Sequence, residues 1–246
     1  MIDILDIHLY IKNMNTSPDN ISLQQANEKI SQRFITAVYG WMVAALAISG
    51  IAAFAVFNSE TLLYFIFGNR FTFLGLIIAE FALVIILSAG IRRMSFPAAA
   101  ASFVIYSIVN GLTLSAVLFV YTSTSVVRIF VITALMFGAM SVYGATTKSS
   151  LQSAGKYLMM AVIGLVIASL VNIFMRSSSL DWLISFVTVG VFTGLTAYDT
   201  QKITQAARYA QDNEDFKKVA IIGALELYLD FVNIFLALLR LFGKRR

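Results

Sequence analysis

Asp199 and Asp230 are the residues of this chain whose type and setting point most directly to chemistry. Asp199 closes the sixth strongly apolar stretch and Asp230 lies in the middle of the seventh. Ionisable groups at membrane depth are costly, so they are rare and turn towards a cavity or a partner. Two carboxylates about 4 Å apart repel by about 4 kcal/mol at an effective dielectric near 20. At about 1.4 kcal/mol per unit, that separates their two ionisations by roughly three units and brings the second close to neutral pH. One shared proton then bridges the two helices at low pH, and its loss drives them apart or recruits a cation. The expected chemistry is pH sensing.

Other polar residues surround this idea. On the seventh stretch Glu226, Asp230, Asn233 and Arg240 recur at spacings of four, three and seven, one helical face, with Gly223 and Ala237 on the same stripe. Such a seam has to be hidden from lipid, which places the last helix centrally. A structural seam of interhelical hydrogen bonds is the plainer role, more so for Asn233 and Glu226 than for Asp230. Glu80, in the middle of the second stretch, is a candidate for an ion path. Arg92 and Arg93, at the end of that stretch, either latch the aspartates or serve as ordinary positive-inside anchors. The geometry carries one difficulty. Asp230 lies about 16 Å into its span at 1.5 Å per residue, whereas Asp199 sits at the end of its own.

The elements that position these residues follow from composition. The chain has 246 residues, 59% hydrophobic and 13% charged, with a mean hydropathy of +0.82. That is too little polar surface for a water-soluble globule. Seven segments reach the roughly 20 apolar residues that a spanning helix needs: 34–57, 72–91, 96–120, 129–145, 157–175, 182–198 and 219–239. Each is continuously apolar rather than alternating, so helices are expected and barrel strands are not. The predicted fold is an all-α membrane protein, a seven-transmembrane-helix bundle over 34–243. A polar lead-in (1–33) precedes it and a basic tail (244–246) follows. Leu62–Phe67 is too short to span and belongs at the interface.

With the N-terminus inside, the inner face collects Lys12, Lys29, Arg33, Arg92, Arg93, Lys148, Lys156, Lys202, Arg208, Lys217 and Lys218. The outer loops hold Arg70, Arg128 and Arg176, which agrees with the positive-inside rule. Arg240, Lys244, Arg245 and Arg246 break the pattern. Either the last helix spans against this charge or it re-enters and the tail stays inside. Phe137 to Lys148 also echoes Phe192 to Lys202, and both close an even-numbered helix on the proposed inner side. A generic interfacial ending explains the echo more simply than a true repeat.

Several function classes drop out. There is no cysteine, which excludes disulfides, thiolate metal sites and cysteine nucleophiles. The single histidine, His8, lies outside every apolar stretch. The formal charge of +5 has no solvated basic domain to present to nucleic acid, so topology accounts for it. The first residues mix Asp3 and Asp6 into their apolar run, unlike a cleaved signal peptide.

Around these same residues the chain resembles the transmembrane Bax inhibitor motif family. The resemblance rests on Gly194-Leu-Thr-Ala-Tyr-Asp-Thr-Gln201 and Leu225-Glu-Leu-Tyr-Leu-Asp-Phe-Val-Asn-Ile-Phe235. Gly111-Leu-Thr-Leu-Ser115, Thr133-Ala-Leu-Met-Phe137 and Met140 to Lys148 add to it. Together these patches cover about residues 30–243. The resemblance implies seven helices with the last at the centre, and a pH-sensitive calcium leak. It carries the paired-aspartate sensor onto Asp199 and Asp230, and a second-helix arginine latch onto Arg92 or Arg93. The short lead-in and the absence of cysteine look like a bacterial member, hence a multi-pass protein of the plasma (inner) membrane. Ala116 departs from the family pattern, where a proline is common.

The leading expectation is therefore a passive, pH-gated cation conduit and not an enzyme. It has no resident cofactor, calcium is the permeant ion, and its partners are the bilayer, Ca²⁺ and protons. Asp199 and Asp230 bind Ca²⁺ transiently, with Glu226, Glu80, Asn233 and nearby carbonyls as further oxygen ligands. An intramembrane aspartyl protease also uses two aspartates, one in a Tyr-Asp pair like Tyr198-Asp199. However, Leu-Tyr-Leu precedes Asp230 where such enzymes carry Gly-x-Gly, and the only prolines are Pro18 and Pro97. A seven-helix regulatory or interaction protein with unknown protein partners is the third possibility. A retinal-binding version needs a lysine deep in the seventh helix, and residues 219–239 contain none.

Overall fold

Long unbroken runs of Leu, Ile, Val, Phe and Ala leave the backbone in hydrocarbon no partner but itself, so the chain coils into helices. A computed structural model describes residues 18–209 and 214–246. The lead-in up to residue 17, with His8 and Lys12, lies outside the described residues, as do the side chains of 18–24, Ala26 and Arg92. The helices are α1 (Pro18–Phe57), α2 (Glu60–Phe67), α3 (Arg70–Gly90), α4 (Phe96–Val120), α5 (Ser123–Thr146), α6 (Gln152–Met175), α7 (Ser178–Arg208) and α8 (Glu214–Phe242). A 3₁₀ turn, Ile91–Arg93, follows α3. All but α2 are long and apolar enough to cross a membrane. The chain is a multi-pass integral membrane protein.

Their ends are marked by local chemistry. Thr122 and Ser177 accept from the backbone N–H groups of Ser125 (3.4 Å) and Leu180 (3.3 Å) and so start α5 and α7. Ser59 does the same for α2, the short interfacial helix, from Leu62 (3.3 Å). Pro97 occupies the first turn of α4, where its missing N–H costs nothing.

The core is organised around α8. Two thirds (67%) of its apolar window is buried, against none (0%) for α6, so α8 is the central helix and α6 a peripheral one. α1, α4, α5 and α7 surround it, α3 packs on α4, and α6 packs on α7. The ring is tight between α1 and α4 and between α5 and α7, but α4 and α5 barely touch. Phe130 and Phe137 of α5 meet Phe231 of α8 edge-on, at centroid distances of 5.3 and 5.7 Å. Phe103 and Tyr106 of α4 meet Tyr228 in the same way. Edge-to-face pairs of this kind fix rotation as well as depth.

Several helices begin earlier than the hydropathy reading, α1 at Pro18 within the expected polar lead-in, and two further boundary differences matter for the site. The sixth span does not stop at Tyr198: α7 continues to Arg208. The segment after Asp199 is too polar to register as membrane, yet it is amphipathic. Thr200, Ile203 and Ala207 are buried, while Lys202, Gln205 and Arg208 are exposed. The last helix begins at Glu214, not at residue 219. The stretch 199–218 between the sixth and seventh expected spans is thus mostly helix.

The last helix runs the full length of the bundle, which sets the end at which the tail lies relative to the other loops. Thr122 N–H donates to the Lys244 carbonyl (3.0 Å) and Arg246 N–H to that of Val120 (3.0 Å). Residues 244–246 therefore lie on the α4–α5 junction, the face opposite the α7–α8 connection. The basic residues there oppose the charge rule that orients the other loops.

Small residues let helices approach closely where the bundle is tightest. A Cβ built on Gly144 of α5 would overlap the Ala197 carbonyl oxygen of α7, whereas one on Gly164 of α6 meets nothing within 4 Å. Gly144→Leu is expected to cost about 1–3 kcal/mol by overpacking, read as a lower unfolding temperature in detergent. Gly164→Leu should leave that temperature unchanged.

Candidate functional site

α7 and α8 run antiparallel in a register that pairs Lys202 with Glu226 and Asp199 with Asp230. Lys202 Nζ lies 2.6 Å from Glu226 Oε1. On the same two helix faces, the carboxyl groups of Asp199 and Asp230 meet in a side-chain hydrogen bond. Asp199 is 8% exposed and Asp230 3%, so both are enclosed by protein. The apparent depth mismatch disappears because Asp199 is an interior residue of α7, followed by nine more helical residues. Asp230 Oδ2 is buried with no hydrogen-bond partner.

The surroundings of the pair are few and specific. Glu226 and Lys202 are the other charged groups acting on both aspartates. From α1, the Tyr39 hydroxyl lies 3.3 Å from Thr200 Oγ1, next to Asp199 in sequence. Gln201 is a structural anchor that hydropathy does not reveal. Its Oε1 accepts from Leu151 N–H (2.8 Å) and its Nε2 donates to the Ser149 carbonyl (2.9 Å). This ties the α5–α6 loop to the turn of α7 that carries Asp199.

The other candidates separate from the pair. Arg93 is exposed on the 3₁₀ turn after α3, a helix that packs on α4 rather than on α7 or α8. The cation beside the aspartates is instead Lys202, which the spacing Asp199–Lys202 (one turn) and Glu226–Asp230 (one turn) already encodes. Asn233 Nδ2 donates to the Leu229 carbonyl of its own helix (2.8 Å). Arg240 approaches Asp181 at 3.9 Å, tying α8 to the start of α7. Among the described residues, no three carboxylate or histidine side chains converge as a metal cluster.

Glu80 belongs to a second polar cluster, on the α4 side of the central helix. Its carboxyl faces Asn110 and Thr113, and its Oε1 is buried without a partner. The Tyr228 hydroxyl donates to Asn110 Oδ1 (2.7 Å). Ser49 Oγ lies 2.7 Å from that hydroxyl and 2.7 Å from the Ser107 carbonyl. Ser49, Asn110 and Tyr228 thus pin α1, α4 and α8 together in mid-bundle. Tyr228 and Asp230 are two residues apart, so they leave α8 in different directions and serve different clusters. Interhelical hydrogen bonds in membranes are worth roughly 0.6–1.7 kcal/mol. Tyr228→Phe keeps the ring contacts and deletes the hydroxyl. It is expected to cost about 1 kcal/mol in detergent unfolding and to leave the Asp199–Asp230 pair in place.

The whole arrangement sits within a stretch shared with known proteins. Residues 31–246 match the family described as "Inhibitor of apoptosis-promoting Bax1". The chain is 46% identical over 235 residues to the inner membrane protein YbhL of Escherichia coli (strain K12), covering 95% of this chain and 100% of that one. It is 43% identical over 229 residues to an uncharacterized protein of Borreliella burgdorferi, covering 92% and 99%. It is 37% identical over 237 residues to the uncharacterized protein RP147 of Rickettsia prowazekii, covering 96% and 98%. With a match that spans nearly all of the bundle, this chain belongs to the Bax inhibitor family of integral membrane proteins.

Proposed function

We propose that the protein is a pH-sensitive cation leak in which calcium is the permeant ion and the Asp199–Asp230 pair is the gate. The observation that carries this reading is the direct meeting of two buried carboxyl groups across the α7–α8 interface. An ionised carboxylate only accepts hydrogen bonds, so two carboxyl groups can bond to each other only while they hold a proton between them. That proton clasps α7 to α8. When it leaves, two like charges face each other in a poorly solvated interior, and their repulsion is relieved by helix separation or by a cation.

The neighbours set the direction of the response. The Lys202 ammonium is ion-paired with Glu226, so its charge is shared between that carboxylate and the pair. The ionised pair then offers hard oxygen ligands to a divalent cation. With so few carboxylates it binds calcium in passing, which suits conduction. A latch from Arg92 at the inner end of α3 remains part of the proposal, while exposed Arg93 takes no role in it. In this reading the aspartates titrate and carry no substrate chemistry, so the protein is not an enzyme.

The test is Ca²⁺ entry into proteoliposomes carrying a trapped calcium dye, at pH 6, 7 and 8. Wild-type entry is expected to rise several-fold with pH, as the clasp loses its proton. Asp199→Asn and Asp230→Asn each remove the shared proton's partner, and both should give entry that no longer changes over this range. A wild-type titration retained in both variants overturns the gate. Cleavage of a transmembrane peptide by the wild type, lost in Asp199→Asn, would point to the aspartyl protease instead.

A further inference from the structure

The weak contact between α4 and α5 leaves a cleft in the outer half of the bundle. A cavity of about 150 Å³ lies there, bordered by Gly50 and Ala53 of α1, Val117 and Leu118 of α4, and Val126 and Phe130 of α5. α8 closes its back with Phe231, Val232 and Phe235, and Ser49 is its one polar wall. Ala53 precedes the end of α1 by four residues, Val117 precedes the end of α4 by three, and Val126 follows the start of α5 by three. At 1.5 Å per residue the cleft begins about 5 Å below the outer helix ends. An apolar cavity of roughly this size stays dry and takes up apolar guests. In a membrane the guest at hand is a lipid chain.

The mouth of the cleft is basic and rigidly held. Backbone bonds from Thr122 to Lys244 and from Arg246 to Val120, with Lys244 N–H to Ser125 Oγ (3.1 Å), fix the tail over the α4–α5 junction. The Arg246 guanidinium stacks on Phe57, 5.2 Å from the ring centroid at the outer end of α1. Lys244, Arg245 and Arg246 are all exposed. None of them forms an ion pair among the described residues. These same charges run against the positive-inside pattern, so their placement on the outer face calls for an anionic partner. Basic side chains at a membrane surface bind anionic headgroups additively.

We propose that the α4–α5 cleft binds one anionic phospholipid of the outer leaflet. One acyl chain fills the space between Leu118 and Phe130, and the phosphate rests on Lys244 and Arg246. The two halves of this site are complementary in depth: apolar where the bilayer is hydrocarbon, cationic where headgroups begin. The proposal is independent of the aspartate gate.

Native mass spectrometry of the full chain tests it, after exchange from vesicles of phosphatidylglycerol or of phosphatidylcholine with identical acyl chains. The wild type is expected to retain one phosphatidylglycerol per chain and to prefer it on the order of tenfold or more. The combined exposed-residue variant Lys244→Gln, Arg245→Gln, Arg246→Gln should lose that preference. Gly50→Phe should lose the bound lipid by filling the cleft, since a side chain at Gly50 starts in open space. Leu118→Trp narrows the cleft from the α4 side and replaces Gly50→Phe if that variant unfolds earlier than the wild type. Equal retention of both lipids by the wild type overturns the site. So does full retention of phosphatidylglycerol in a folded cleft-filled variant, because the tail would then hold headgroups without the cleft.

Discussion

A polar group inside a bilayer has no water to fall back on, so each one here has to be satisfied by another part of the protein. That constraint organises the bundle more than hydrophobic contact does, since lipid tails are as apolar as the helices they touch. α8 carries Tyr228 and Asp230 into the interior, with Glu226 and Asn233 half-buried beside them. A helix with such a face is stable only with protein on every side. The ring of α1, α4, α5 and α7 around it follows from this requirement. α6, whose Gln152, Lys156 and Asn172 lie near its two ends, is left to face lipid.

The central helix serves two polar clusters from one short segment. Tyr228 is built into a network with Ser49, Asn110 and the Ser107 carbonyl, in which its hydroxyl is partnered on two sides. Asp230 is different: its carboxyl faces that of Asp199, and its Oδ2 is buried without a hydrogen-bond partner. A hydrogen-bonded network like that of Tyr228 stiffens what it joins. On the α4 side of α8 that network pins three helices together, although Glu80 Oε1 beside it is buried without a partner. The loosest seam of the ring, between α4 and α5, coincides with the apolar cleft and the basic tail at its mouth.

Much of this was legible in the residues. Continuous apolar runs identify seven spans, and the spacing of Glu226, Asp230, Asn233 and Arg240 marks a single helix face that lipid cannot cover. Asp199 and Asp230 stand out because carboxyls are so rare in such surroundings. Hydropathy failed at the end of the sixth span, where Thr200 to Arg208 reads as a polar loop. Its buried positions are Thr200, Gln201, Ile203 and Ala207, and burial there depends on neighbours that an average over a window does not contain.

What the sequence by itself determined is the membrane environment, the number of crossings and the identity of the costly carboxyls, because each follows from transfer free energies that residues carry wherever they are. What only the tertiary structure decided is who meets whom. The α7–α8 register joins Lys202 to Glu226 and Asp199 to Asp230. Glu80 falls to a separate cluster and Arg93 to the surface. The tail folds back across the α4–α5 junction. Such pairings depend on helix register and on close approach at residues such as Gly144, which no local composition encodes, because the atoms in contact are contributed by segments far apart in the chain.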